Sequence, residues 1–175
     1  MRKKFSPALI ISWLLALSMV VYCAMLYVHV STMQKIYGET IREDIFQVND
    51  LSQELTKLLE AEEEALGQAS LRLGGVLSAL RDGTSLNADY HQLAQDLSSD
   101  LIAYGFLEDK NSAAAKLLLE NIASKNNALF TVTQYIMEQL FHPNVDKMNS
   151  KYFDARVPSA PVNRRISSVI ENLTP

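Results

Sequence analysis

Residues 5–34 read FSPALIISWLLALSMVVYCAMLYVHVSTMQ, thirty positions without an Asp, Glu, Lys or Arg. The apolar centre, Ala8–Val30, holds twenty-three residues. As a helix it is roughly 35 Å long at ~1.5 Å per residue, against a hydrocarbon layer of ~30 Å. It therefore spans a bilayer with some tilt. Pro7 suits its first turn, where a missing N–H breaks no hydrogen bond. Arg2, Lys3 and Lys4 stand just ahead of it, which places the N-terminus in the cytoplasm and the rest of the chain outside. The far end, Tyr27-Val28-His29-Val30-Ser31, offers no small-x-small cleavage site, so an uncleaved signal-anchor is expected rather than a signal peptide.

Everything else hangs from that segment. The expected organisation is a basic cytoplasmic N-terminus over 1–6 and a transmembrane helix over 7–30. An extracytoplasmic helical domain then covers 31–142, and a loosely structured tail with a short terminal helix covers 143–175. The expected fold class is all-α: one transmembrane helix, then an antiparallel three- to four-helix bundle with a long membrane-proximal helix.

Charge divides the chain. Residues 31–142 carry eight Lys/Arg and seventeen Asp/Glu, a net of −9, whereas residues 143–175 carry five and three, a net of +2. An acidic domain is a poor nucleic-acid binder, because phosphate recognition needs a basic face. The lipid bilayer is the partner the sequence names directly. The only cysteine, Cys23, lies in the span. The outer domain thus has no disulfide, which suits the bacterial inner (plasma) membrane and its envelope.

The outer domain opens on a proline-free stretch, Gln34–Arg81, with helical periodicity. Ile41, Val48, Leu55, Ala69 and Val76 share one seam position with Glu62. Ile45, Leu59, Leu66, Leu73 and Leu80 share the other with Ser52. This stripe predicts one long amphipathic helix. Glu60, Glu62, Glu63 and Glu64 read as a solvated face. Asp82-Gly83 signals a turn, followed by Thr84, Ser85 or Asn87 as an N-cap for a helix over Ala88–Tyr104, with Gly105 as its stop. A third helix is expected over Ser112–Phe141, ended by Pro143. Lys125 with Ser124, Asn126 and Asn127 interrupts its stripe and reads as an edge of the bundle. Val157–Pro161 reads as extended chain. Asn163–Leu173 reads as a short helix, with Ile166, Val169, Ile170 and Leu173 on one side.

An unbroken first helix outruns a second one of only seventeen residues. Its membrane-proximal part would then expose Ile41, Ile45, Val48 and Leu51, the candidate partner-contact stalk. These four would meet another copy of the chain or a different envelope protein.

No chemistry stands out. His29, His91 and His142 are far apart, and no phosphate loop, nucleophile elbow, zinc motif or cysteine pair occurs. No enzyme activity, cofactor or metal is expected. Two classes remain: an interaction or adaptor subunit of an envelope assembly, and a ligand-sensing bundle. The anchor and long helices broadly resemble the outer domains of bacterial chemoreceptors and sensor kinases. That resemblance rests on architecture and not on a motif, and it implies a second span and an output domain that this sequence does not contain.

Overall fold

The computed structural model of the chain describes residues 7–61 and 63–173, with side chains over 9–61 and 65–173. These residues form seven helices and no strand: α1 (Pro7–Glu60), α2 (Glu63–Ala79), α3 (Arg81–Thr84), α4 (Ala88–Phe106), α5 (Ala113–Leu140), α6 (Val145–Ala155) and α7 (Pro161–Leu173). The architecture is all-α, with one long apolar N-terminal helix leading into a packed helical core.

α1 is a single 54-residue rod, roughly 80 Å long. Every large apolar side chain from Leu9 to Val30 is exposed, including Trp13, Met25 and Tyr27. Among the described residues, α1 is the one helix long and apolar enough to cross a membrane. Burial starts abruptly at Gly38 and continues through Ile41, Ile45, Val48, Leu51 and Leu55. The candidate span and the first helix of the bundle are therefore one continuous element.

The long helix expected over Gln34–Arg81 does not run through. The chain folds back at Ala61, and α2 returns along α1: Arg72 pairs with Glu54, and the Gly83 N–H donates to Asp44 Oδ2 at 2.9 Å. The break falls within the glutamate run of the sequence. Folding back ends α1 at Glu60 and starts α2 at Glu63. Glu62 lies outside the described residues.

α4 then runs away from the span and α5 returns. Ser98 on α4 donates to the Gly74 carbonyl on α2 at 2.8 Å. Lys125 on α5 pairs with Asp100 on α4 at 2.7 Å, and Tyr90 and Thr133 share a buried hydrogen bond of 2.8 Å. α1, α2, α4 and α5 thus form an antiparallel four-helix bundle. Asn87 is the cap of α4, its Oδ1 accepting from Asp89 N and Tyr90 N. Ser112 caps α5. Gly105, expected to end α4, lies inside it instead. It is small there because Leu71 of α2 presses against it, 2.5 Å from where a Cβ would stand.

The tail differs most from expectation. Residues 145–155 are helical, capped by Asn144 Oδ1 accepting from Lys147 N at 3.0 Å. α6 packs along α1, and α7 lies across α4 and α5. Tyr152, Ala155, Ile166 and Ile170 are all buried. Pro161, which favoured an extended reading, is the first residue of α7, where proline is well tolerated. Only Arg156–Ala160 forms the turn between the two helices.

Neighbouring glycines on α2 give opposite expectations. A Cβ added to Gly75 would meet nothing within 4 Å, whereas one added to Gly74 would stand 2.8 Å from Ile102 Cγ1 and 3.0 Å from the Ser98 carbonyl. Gly75→Ala should stabilise the protein by about 0.5–1 kcal/mol through helix propensity. Gly74→Ala should destabilise it by about 1–3 kcal/mol through overpacking. Urea unfolding of the detergent-solubilised chain, followed by circular dichroism, checks both signs.

Candidate interaction surfaces

Ile41, Ile45, Val48 and Leu51 do not form an exposed stalk. They are 2%, 0%, 0% and 6% exposed within the single chain. The cause is the fold-back at Ala61. It brings α2 and α3 down beside Asp44 and Ile45, while α5 and α6 cover the remaining faces. An apolar row that long could not stay in water, and the chain itself supplies the cover.

The α1–α6 contact holds a polar seam. Asn149 approaches the α1 backbone at Gly38. Arg42 stands one turn further along α1, with Nη2 3.8 Å from Glu39 Oε1 and 3.9 Å from Glu43 Oε1, and its guanidinium 6.0 Å from the Phe46 ring centre. The Tyr152 hydroxyl is buried without a hydrogen-bond partner from the chain. Burial pushes its pKa from 10.0 up to about 12, with the Arg42 charge pulling the other way. The folded chain thus keeps this proton at a pH where the unfolded chain loses it. The associated stability is intact below pH ~10 and drains away as pH rises through the folded value, at about 1.4 kcal/mol per pH unit. Tyr152→Phe should be nearly neutral at pH 7, since no hydrogen bond is lost, and should make alkaline unfolding shallower by that slope. Urea midpoints between pH 8 and 12 measure it.

Further from the span, α1 and α5 part to leave a furrow of about 630 Å³. Thr56, Leu59, Ala123 and Phe130 line it, with Lys57 and Glu60 at its edge. A second hollow of about 450 Å³ shares Leu59 and Ala123 and carries the furrow on past Ala61 and Leu119. The lining of the larger furrow includes Asn126, which is 2% exposed. Asn126 Nδ2 donates to the Ser52 carbonyl at 3.1 Å and to Thr56 Oγ1 at 3.0 Å. Its Oδ1, like Ser52 Oγ, has no partner from the chain. The polar patch around Lys125 is therefore not a bundle edge: Lys125 ties α5 to α4 and Asn126 ties it to α1. The signal was the regular place of both on the apolar side of α5, where a polar residue must find a specific partner.

Among the described residues no three His, Cys, Asp or Glu side chains gather as a metal would need. His91 Nδ1 lies 3.0 Å from Thr84 Oγ1, and His142 Nδ1 accepts from Asn144 N at 3.0 Å. Both serve local structure at helix ends. Cys23 is exposed on the apolar half of α1.

Comparison with family models, with curated proteins and with solved structures finds no match. The geometry of this chain alone carries the functional reading.

Proposed function

We propose that the chain is a non-catalytic, single-pass interaction protein, an adaptor or accessory subunit of a bacterial envelope assembly. In this reading its N-terminus is cytoplasmic, its bundle is extracytoplasmic, and a helix of another envelope protein docks in the α1–α5 furrow. The observation that carries the reading is that the furrow is built on the same rigid helix as the candidate span. Thr56 stands 26 residues beyond Val30 on one helix, roughly 40 Å along its axis. A partner held there is held at a fixed height above the membrane. Leu59, Ala123 and Phe130 supply apolar contact, and Lys57 and Glu60 supply a charged rim, the usual division of a protein interface.

Photo-crosslinking in native membranes tests this. Probes replace Thr56 and Ala123, both exposed on the furrow, and Ser99, exposed on α4. Adducts with another envelope protein from the first two positions, and not from Ser99, are expected. Equal labelling from all three, adducts only with a second copy, or none from the furrow overturns it. A second reading, ligand sensing, draws on the furrow's volume, which falls in the ~300–1,000 Å³ range of small-molecule sites. A ligand-induced rise in melting temperature of the full chain, abolished by Ala123→Trp, would favour it.

A further inference from the structure

We infer that the C-terminal end of α6, with the turn after it, is a seat for the anionic phospholipid headgroups of the leaflet from which α1 emerges. This rests on the membrane-anchored reading. Phe153 of α6 and Arg156, the residue just after that helix, share one cleft of about 390 Å³ with His29, Val30, Met33 and Tyr37 of α1. His29 and Val30 are the last residues of the apolar run. Where they leave the hydrocarbon, Phe153 and Arg156 meet the headgroup layer. The cleft is lined mostly by apolar groups, and a guanidinium stands among them.

The side chains fit that layer. The Arg156 guanidinium lies over the Phe153 ring, 5.8 Å from its centre, an arrangement that holds the charge beside an apolar face while its N–H fork stays available to phosphate. Val157 follows and is 51% exposed. Aromatic, aliphatic and cationic groups side by side are the composition of an interfacial membrane contact. Two further cations stand close by. Asn163 Nδ2 donates to the Ala155 carbonyl at 3.2 Å, which brings the start of α7, with exposed Arg164 and Arg165, to the end of α6.

The charge division of the chain then has a physical consequence. The domain over 31–142 is strongly acidic, and an anionic leaflet repels it. The net-positive segment over 143–175 offsets this, and Arg156 carries part of that charge to the cleft beside Val30. Polybasic segments beside a span are drawn to anionic lipid and lose that attraction beyond a Debye length of ~8–10 Å. Arg156 lines one cleft with Val30 and Met33, which brings its guanidinium within that reach. The occupant is an anionic phospholipid: its phosphate on Arg156, with Arg164 and Arg165 adding to the field, and its upper acyl chain against Phe153, Met33 and Val30.

Tryptophan quenching in vesicles tests the seat with the full chain. Trp13, the single tryptophan, reports the span. Val157→Trp in a Trp13→Phe background reports the seat. Both proteins are reconstituted into phosphatidylcholine vesicles, with or without a phosphatidylglycerol fraction, whose lipids are brominated high on the acyl chain. Trp13 emission should be quenched in both compositions. The introduced indole should lose most of its emission in phosphatidylglycerol vesicles. It should recover that emission in pure phosphatidylcholine, or when Arg156, Arg164 and Arg165 are changed to Gln. Quenching at Trp13 with none at position 157 overturns the seat and leaves the anchor standing. Quenching at position 157 that ignores both lipid charge and the three substitutions overturns anion recognition. Absence of quenching at Trp13 overturns the anchor and the seat together. The three arginines are exposed, so the variant should keep the wild-type circular dichroism spectrum.

Discussion

Gly38→Ala should detach α6 from the bundle. Alanine normally favours a helix interior over glycine by about 1 kcal/mol, so helix propensity alone gives the opposite sign. Here the added Cβ would stand 1.8 Å from the Asn149 carbonyl oxygen, 2.5 Å from its carbonyl carbon and 3.2 Å from its Cα. All three atoms are backbone, and no rotamer change moves them. Carbon makes ordinary contacts at ~3.5 Å or more, so the two helices must separate by roughly 1.5 Å. Tyr152 of α6 is among the largest fully buried side chains, and Ile41 of α1 is buried too. Close packing does not stretch to such a gap. Overpacking of this kind costs about 1–3 kcal/mol, and a tyrosine lifted out of its site adds a loss approaching the ~3–5 kcal/mol of a deleted core aromatic. A total of about 4 kcal/mol is the expected scale. Hydrogen exchange localises it: amides over 145–155 should lose most of their protection while those of α4 keep theirs. Unchanged protection over 145–155 would mean that the helices do not meet as closely as 1.8 Å requires.

The contrast with Gly75 shows what a sequence can and cannot reveal. Both glycines sit inside helices, and no pattern separates the one that needs its missing Cβ from the one that does not. The difference lies in which backbone crosses there, and that depends on where the chain turns. The turn itself was hard to read. The apolar stripe keeps its period on both sides of Ala61, and neither glycine nor proline marks the break. The only local sign is the cluster of Glu60, Glu63 and Glu64 around it, and charge runs far more often lie on a solvated helix face. Misplacing that turn leads directly to an exposed stalk, because α2 and α3 are then missing from beside Ile45. By contrast, the apolar run and the capping residues act through local chemistry. Asn87, Ser112 and the limits of α4 and α5 are accordingly legible within a residue or two. The furrow was not legible, since it depends on how far α5 stands from α1 beside Ala123. Asn126 was visible only as a polar interruption, and its role needs Ser52, far away in sequence.

Asn163 is where the tail is tied to the rest, and Asn163→Leu should release it. The residue is nearly buried, and its Nδ2 donates to the Leu86 carbonyl at 2.7 Å as well as to Ala155. Its Oδ1 accepts from Asn87 Nδ2 at 2.9 Å. One amide thus joins the loop before α4, the end of α6 and the start of α7. Leucine matches its size but leaves two buried carbonyls without a donor, each worth about 1–3 kcal/mol when unpaired. The expected loss is about 3 kcal/mol, a fall of roughly 10 °C in melting temperature for a domain of this size. Exchange protection over 161–173 should drop first, because α7 alone is too short to hold a helix in water. Asn87→Ala should cost about 1–2 kcal/mol, since it removes the cap of α4 and one partner of Asn163. The two substitutions remove the same bond, so their double mutant should be less destabilised than the sum, by about 1 kcal/mol. Strict additivity would mean that the pair holds α7 only by shape. A coupling of that size would mean instead that the cap opening α4 also anchors the tail. The fold of α6 beside the membrane, and the lipid seat built on it, would then depend on an asparagine pair separated by 76 residues.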